Sequence, residues 1–300
     1  MASEQCGLLV DLEQRGMIAQ QTGDGELVGH LNEGVRTVYC GFDPTADSLH
    51  IGSLVPLLTL RRFQEAGHKP IALVGGATGL IGDPSFKAQE RQLNTPDVVG
   101  DWVEKLKAQV ARFISFEGDA GAQVVNNLDW IGDVDVLSFL RDVGKHFSVN
   151  QMIAKDAFGK RLDAGQPLYA HEIIYPLLQG FDSVEIKADI ELGGTDQTFN
   201  LMVGRHLQKS FGQDPQCILT MPILEGTDGI NKMSKSMDNY ISLEDTPTDM
   251  FGKMMSISDE KGVKLKATVS EFGPVLMSKI LDLNSTQSGI LAIIFKYSDD

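Results

Sequence analysis

Cysteine is scarce in this 300-residue chain: Cys6, Cys40 and Cys217 form no CxxC pair and no dense, even-numbered framework. That spacing argues against a disulfide scaffold or a structural zinc site, and makes a reducing, cytoplasmic setting the expectation. Positive charge is short too: 26 Lys and Arg face 41 Asp and Glu, a formal net charge of -15. Neutralising phosphates takes clustered Lys and Arg, so nucleic acid cannot be held by bulk attraction and any contact with it has to be local. No apolar run reaches the roughly 20 residues of a membrane-spanning helix, and the acidic first residues lack the basic n-region of a signal peptide. The chain therefore reads as soluble, with no membrane partner. His30, His68, His146, His171 and His206 show neither metal-ligand spacing nor a Ser-His-Asp pattern, so they are expected to be structural or surface residues, and no metal site is expected.

What is present is enough apolar material, 42% of residues, for one catalytic domain and a small appendage. Strand-like runs at Thr37–Phe42, Pro70–Val74 and Val124–Asn126 alternate with helical patterns at Leu54–Phe63, Asp101–Phe113 and Val136–Phe147. That rhythm predicts an α/β fold with a parallel sheet. Val184 to Leu192 alternates strictly and reads as a further strand, ending in Gly193-Gly194, with Thr195 or Asp196 as the cap of a following helix. No internal repeat is visible, and the rhythm is lost after Asp259.

Two short segments carry chemistry. Asp43-Pro-Thr-Ala-Asp-Ser-Leu-His50-Ile-Gly52-Ser53 lies between a strand and a helix, where open α/β sheets bind ligands. A His beside a Gly at a helix N-terminus can approach a phosphate closely. Lys232-Met-Ser-Lys235-Ser236 sets two cations three residues apart among turn formers, suited to charge on a leaving pyrophosphate. Either one alone could be a backbone-bonding loop histidine or a solvated basic loop. A third segment, Gly75-Gly-Ala-Thr-Gly-Leu-Ile-Gly82, follows a strand but fits neither GxGxxG nor a P-loop. Tyr175, Gln179 and Asp182 recur at i, i+4 and i+7, so on a helix they share a face while Ile173, Leu177 and Leu178 point to the core. Spacing alone would suit an ordinary amphipathic helix equally well.

His50-Ile-Gly-Ser53 and Lys232-Met-Ser-Lys-Ser236 resemble the HIGH and KMSKS signatures of class I aminoacyl-tRNA synthetases. Tyr39 to His50 and Leu73 to Ser85 are similar to bacterial-type tyrosyl-tRNA synthetases in particular. The stretch up to about Arg161 is similar to one bacterial branch, while Leu192-Gly-Gly-Thr-Asp-Gln197 and the KMSKS spelling are closer to the other. The resemblance runs to about Asp259. It implies a Rossmann-like catalytic domain over residues 37–225, after an N-terminal helical segment, 1–36, and before a KMSKS loop and helix, 226–259. Residues 260–300 are left as a tail of uncertain fold, part of a mainly helical appendage lacking the usual anticodon and RNA-binding domains.

The implied reaction joins L-tyrosine and ATP, the latter with Mg²⁺, into tyrosyl-adenylate and transfers tyrosine to tRNA(Tyr), by a homodimer with no tightly bound cofactor. Tyr175, Gln179, Asp83 and Gln197 would hold the ammonium group, and Tyr39 and Asp182 the phenol. Such a pair would also explain rejection of phenylalanine, because burying it without a partner is costly. Gly41, Asp43, Thr45, Gly52, Gly193 and Asp196 would line the nucleotide. His50, Ser53, Lys232 and Lys235 would follow charge on the phosphates, with Ser53 reaching the nucleotide directly or through water. Arg141, Lys145, Lys155, Lys160 and Arg161 form a local basic stretch expected to face the acceptor stem or solvent. The short C-terminus implies weak tRNA charging. Rival readings are a paralogue that binds without charging, a tryptophan-specific synthetase, and an NAD-dependent dehydrogenase using Gly75–Gly82.

Overall fold

The computed structural model describes residues 2–22, 25–44, 48–84 and 95–255. In chain order the elements are α1 (Ala2–Gln14), β1 (Gln20–Gln21), α2 (Glu26–Asn32), β2 (Thr37–Phe42), α3 (Ile51–Glu65), β3 (Lys69–Val74), α4 (Gly76–Ile81), α5 (Pro96–Val110), β4 (Gln123–Asn126), α6 (Leu128–Ile131), α7 (Val136–Asp142), α8 (Val149–Ile153), α9 (Asp156–Asp163), α10 (Ala170–Ile186), β5 (Ile190–Gly194), α11 (Thr198–Ser210), β6 (Cys217–Met221) and α12 (Pro247–Met255). Short 3₁₀ turns cover Gly144–His146, Thr195–Gln197 and Lys235–Met237.

The six strands form one sheet in the order β1-β6-β5-β2-β3-β4, parallel except for the two-residue edge strand β1. Alternation along the central strands divides the core in two. Val38, Cys40, Ala72, Val74, Ile190, Leu192 and Leu219 point to the face covered by α1, α2, α3 and α5, where Leu57, Leu60, Phe63 and Leu106 are fully buried. Burying each such side chain contributes about 2 kcal/mol. The opposite face carries Tyr39, Ile71 and Leu73, and beyond it α7, α8, α10 and α11 pack through Phe139, Leu177, Leu178, Phe181, Val203 and Leu207. α10 and α11 approach closely because both lack side chains at the crossing. A Cβ on Gly180 would lie 2.8 Å from Val203 Cγ1, and one on Gly204 would lie 2.4 Å from Ser183 Oγ.

The expected strands β2, β3 and β4 fall where the apolar runs put them, as do the cores of α3 and α5. The strand expected over Val184–Leu192 does not form as one element: α10 continues through Ile186, Lys187 turns the chain in the left-handed conformation (φ 53°), and β5 begins only at Ile190. The alternation there comes from the last helical turn and a strand laid end to end, and burial of Val184 against α11 overrides β propensity. Thr195 and Asp196 cap nothing with their side chains, because a 3₁₀ turn leads directly into α11. The helix expected over Val136–Phe147 stops at Asp142; Phe139 and Val143 are buried while Val136 and Leu140 are exposed. The expectation for residues 260–300 lies outside the described residues, and no helix among those described is long and apolar enough to cross a membrane.

Lys187 is exposed, and its positive φ carries the strain of a Cβ in the left-handed region. Lys187→Gly should raise unfolding stability by about 0.5 kcal/mol, the relieved strain slightly exceeding the added unfolded-state entropy; chemical denaturation checks this.

Candidate active site

With β3 and β4 on one side of β2 and β5 and β6 on the other, the chain reverses its direction of travel between β2 and β5. Loops diverge there at the carboxyl ends of the strands and leave a crevice. Asp43 follows β2, and its carboxylate accepts from Tyr175 Oη of α10 (2.6 Å) and Thr78 Oγ1 of α4 (2.7 Å). Burial and the nearby carboxylates raise the Tyr175 pKa, which keeps its phenol a donor. Asn127, just after β4, donates to Thr78 Oγ1 and to Asp182 Oδ2, each at 3.1 Å, and Trp130 Nε1 donates to Asp182 Oδ1 at 2.9 Å. Asp182 is thus a buried carboxyl with one N–H on each oxygen; burial pushes its pKa well above the usual range while those two donors oppose the shift. Tyr39 is buried beside it and shares a 2.6 Å hydrogen bond with Ser183 Oγ.

A second network runs from α10 to the loop after β5. Asn200 donates to Gln179 Oε1 (2.8 Å) and Gln197 Oε1 (2.9 Å), and Gln197 Nε2 donates to Asp83 (2.8 Å) and Asp196 (3.2 Å). Asp196 is buried and forms an ion pair with Lys232, whose side chain is half exposed. Gly193 lies under this network, where a Cβ would come within 3.0 Å of Leu201 Cδ1. Gly41, near the end of β2, is exposed.

His50 precedes α3, and its backbone N–H donates to Ser53 Oγ at 3.4 Å. The Ser53 hydroxyl is therefore engaged in closing the first turn of its own helix. A Cβ on Gly52 would press within 3.0 Å of the His50 ring and 3.7 Å of Met233 Cβ, so the glycine lets the imidazole and the Lys232–Ser236 loop come together. Met233 anchors that loop by packing with Ile241 and Met250, and Asn239 Oδ1 accepts from the Ser234 N–H at 2.8 Å. Burial, then Lys235 and Lys232, lower the His50 pKa to about 3, so its ring is neutral at physiological pH. The buried Nδ1 has no hydrogen-bond partner among the described residues. Thr45 lies outside them.

The glycine-rich turn after β3 offers no open phosphate cradle. The Gly76 and Ala77 N–H groups, at the start of α4, already donate to the side chains of Asn126 (3.1 Å) and Asn127 (2.8 Å). A Cβ on Gly75 would overlap Asp43 Oδ1 at 2.0 Å, so that glycine makes room for a protein carboxylate. The expected basic face also fails in part. Arg161 is buried in an ion pair with Glu172, and Lys155 is buried with its ammonium donating to Asn200 Oδ1 at 3.0 Å, over Phe158 and Phe199. Both cations turn inward because buried acceptors await them. Asn127, Trp130, Thr78, Ser183, Glu191 and Asn200 were missed; for Asn127 a usable signal was its position at a strand's carboxyl end.

An open parallel sheet carrying a His-x-Gly helix start and a Lys-x-x-Lys loop over one switch point defines a class I aminoacyl-tRNA synthetase catalytic unit. A family model for class I tRNA synthetases (W and Y) matches residues 31–291, and the chain belongs to that family. A tyrosine–tRNA ligase of Aliivibrio salmonicida is 54% identical over 250 residues, 81% of this chain and 58% of its own length. The chain thus spans less than two thirds of that relative. The fold is shared with a C-terminally truncated mitochondrial tyrosyl-tRNA synthetase of Coccidioides posadasii (TM-score 0.70, 21% identity, 95% of this chain and 84% of that one). It is also shared with a tyrosyl-tRNA synthetase of Archaeoglobus fulgidus complexed with L-tyrosine (TM-score 0.65, 21% identity, 99% of this chain and 91% of that one).

With a pKa near 3, His50 should stay neutral throughout ordinary solution conditions. Its Cε1–H proton resonance, assigned through His50→Gln, should not move between pH 5 and pH 8, whereas an ordinary exposed histidine titrates in that window with a pKa of about 6.5.

Proposed function

We propose that this chain activates L-tyrosine with ATP to give tyrosyl-adenylate and pyrophosphate, and passes the tyrosyl group to the terminal adenosine of tRNA(Tyr). One observation carries the reading: a buried Tyr39–Asp182 pair stands on one side of the switch point, and His50, Lys232 and Lys235 converge on the other. The tyrosine–tRNA ligase relatives support it. A phenol hydroxyl can donate to Asp182 and accept from Tyr39, whereas an indole N–H has no lone pair for Tyr39, which disfavours the tryptophan alternative. Asp83, Gln179, Gln197 and Tyr175 surround the position suited to the ammonium group.

The tyrosine carboxylate then attacks the α-phosphorus of ATP, the bond from that phosphorus to the α,β-bridging oxygen breaks, the β- and γ-phosphates leave together as pyrophosphate, and no protein nucleophile takes part. Gly41, Asp43, Gly52, Gly193 and Asp196 line the nucleotide. The neutral His50 ring donates one N–H to phosphate, and Ser53 acts by fixing the backbone that carries His50. Lys232 exchanges Asp196 for phosphate, and Lys235 meets charge on the departing pyrophosphate, with Mg²⁺ entering bound to ATP. Residues 37–225 form the catalytic unit and 226–259 its phosphate-facing loop and helix. A cytoplasmic location fits the free, buried Cys40 and Cys217. A homodimer is supported by the apolar side chains that α7 and α8 leave exposed: Val136 (72%), Leu137 (77%) and Val149 (64%).

The test is tyrosine-dependent ATP–pyrophosphate exchange. It should proceed with tyrosine and not tryptophan, and Lys235→Ala should lower its kcat by about 10²-fold with little change in the KM for tyrosine; no exchange, or exchange with tryptophan alone, contradicts the reading. Leu137→Glu should shift the sedimentation coefficient to that of a monomer without unfolding the chain, because the side chain it replaces is already exposed.

A further inference from the structure

Glu191 is a carboxyl buried in the middle of the sheet, on β5, directly in register with Tyr39 on β2. Both side chains point to the face covered by α10 and α11. Ser183 Oγ sits between them, 2.6 Å from Tyr39 Oη and donating to Glu191 Oε2 at 3.3 Å, while Gln216 Nε2 also donates to Glu191 Oε2. Gly204 leaves room for this chain, since a Cβ there would strike Ser183 Oγ at 2.4 Å and Gln216 Nε2 at 3.1 Å. The titratable groups that interact electrostatically with Glu191 are Tyr39 on the same face of the sheet, Asp182 from α10 and, from the opposite face of β2, Cys40, all of them acids.

Each of the two hydroxyls has one proton, so the chain Glu191–Ser183–Tyr39 has a direction. When Glu191 is a carboxylate, Ser183 donates to it, Tyr39 donates to Ser183, and the Tyr39 oxygen can only accept from a ligand. When Glu191 carries a proton, the order reverses and the Tyr39 proton is directed toward the ligand. Asp182 fixes which direction a phenol requires. Its two oxygens each take a donor that cannot reverse, an amide N–H and an indole N–H; these oppose the effect of burial and favour Asp182 as the acceptor, in which case the phenol receives its other hydrogen bond from Tyr39.

We infer that Glu191 is a positioning residue for substrate specificity: its proton, relayed through Ser183, makes Tyr39 a donor and so suits the pocket to a para-hydroxyl. This rests on Tyr39 and Asp182 enclosing the phenol of tyrosine. Burial pushes the Glu191 pKa up to about 8, against hydrogen bonds with Tyr39, Gln216 and Ser183 that lower it, so the protonated direction prevails at neutral pH and is lost above it. Ionisation then sets two oxygens facing each other, one on Tyr39 and one on the ligand, which costs roughly tenfold in affinity.

Calorimetric binding of L-tyrosine to the whole chain, from pH 6.5 to pH 9.5, tests this. The Kd for the wild-type chain should rise roughly tenfold between pH 7 and pH 9 beyond any change shared with Glu191→Gln, whose side chain cannot ionise. Ser183→Ala removes the bridging hydroxyl while keeping the Glu191 carboxyl and should shrink the same step, so the test stands even where Glu191→Gln folds poorly. An identical pH profile in the wild type and in a folded variant of either kind overturns the role of Glu191 while leaving tyrosine as the substrate. Absence of tyrosine binding by the wild type overturns both.

Discussion

The parallel pairing of β2 with β3 on one side and β5 on the other fixes the position of nearly every polar group in the crevice. Register sets Phe42 beside Val74 and Tyr39 beside Glu191, so the loops leaving β2, β3 and β5 open at one end of the sheet. A slip of one residue in β2 would turn Tyr39 into the apolar layer with Val38 and Cys40 and bring one of those to the pocket. The apolar face prevents this, because Val38, Cys40 and Phe42 pack into the larger core. The geometry of the site is therefore held by hydrophobic burial on the face opposite the Tyr39 side chain.

Burial of this kind makes the polar groups costly. Asp182, Glu191, Tyr39 and Tyr175 lie away from water, and an unpaired carboxyl there would destabilise the fold by several kcal/mol, on the order of the desolvation cost of one charge. Asp182 has fixed N–H donors, Glu191 and Tyr39 share the Ser183 hydroxyl, and Tyr175 donates to Asp43, so the cost is offset by hydrogen bonds and by protonation. The α10–α11 crossing is central to that arrangement. Without the close approach at Gly180 and Gly204, Ser183 could not lie between Tyr39 and Glu191, and Asn200 could not reach both Gln179 and Gln197.

The frame and the two signature loops were legible because they follow local rules. A strand buried on both faces is a short apolar run, and a His-Ile-Gly or Lys-Met-Ser-Lys segment can be read without knowing what packs against it. The misread stretch, Val184–Leu192, shows where local rules stop: its alternation is equally that of a helix end followed by a strand, and only the packing of Val184 on α11 decides. Arg161 and Lys155 were misjudged for a similar reason, since their acceptors Glu172 and Asn200 are brought to them by the fold. Glu191 was invisible because a Glu in an alternating run reads as the wet side of a strand, whereas α10 and α11 cover both Glu191 and Tyr39.

The charge of the site is divided along the switch point, and the proposed reaction needs that division. Asp43, Asp83 and Asp182 gather around α4 and α10, where a free ammonium and a phenol would both find acceptors. His50, Lys232 and Lys235 face them from α3 and the loop after β6. An anionic triphosphate is repelled by the first half and drawn to the second, which an acidic chain of net charge -15 can manage only by keeping its few relevant cations together. The imidazole contributes by being neutral: a protonated ring between two lysines would be repelled by them, whereas the neutral ring can still donate one N–H. An amino acid held by its ammonium and its ring in the acidic half has its carboxylate as the one group left at the boundary. There it meets the α-phosphate of a nucleotide held from the other side.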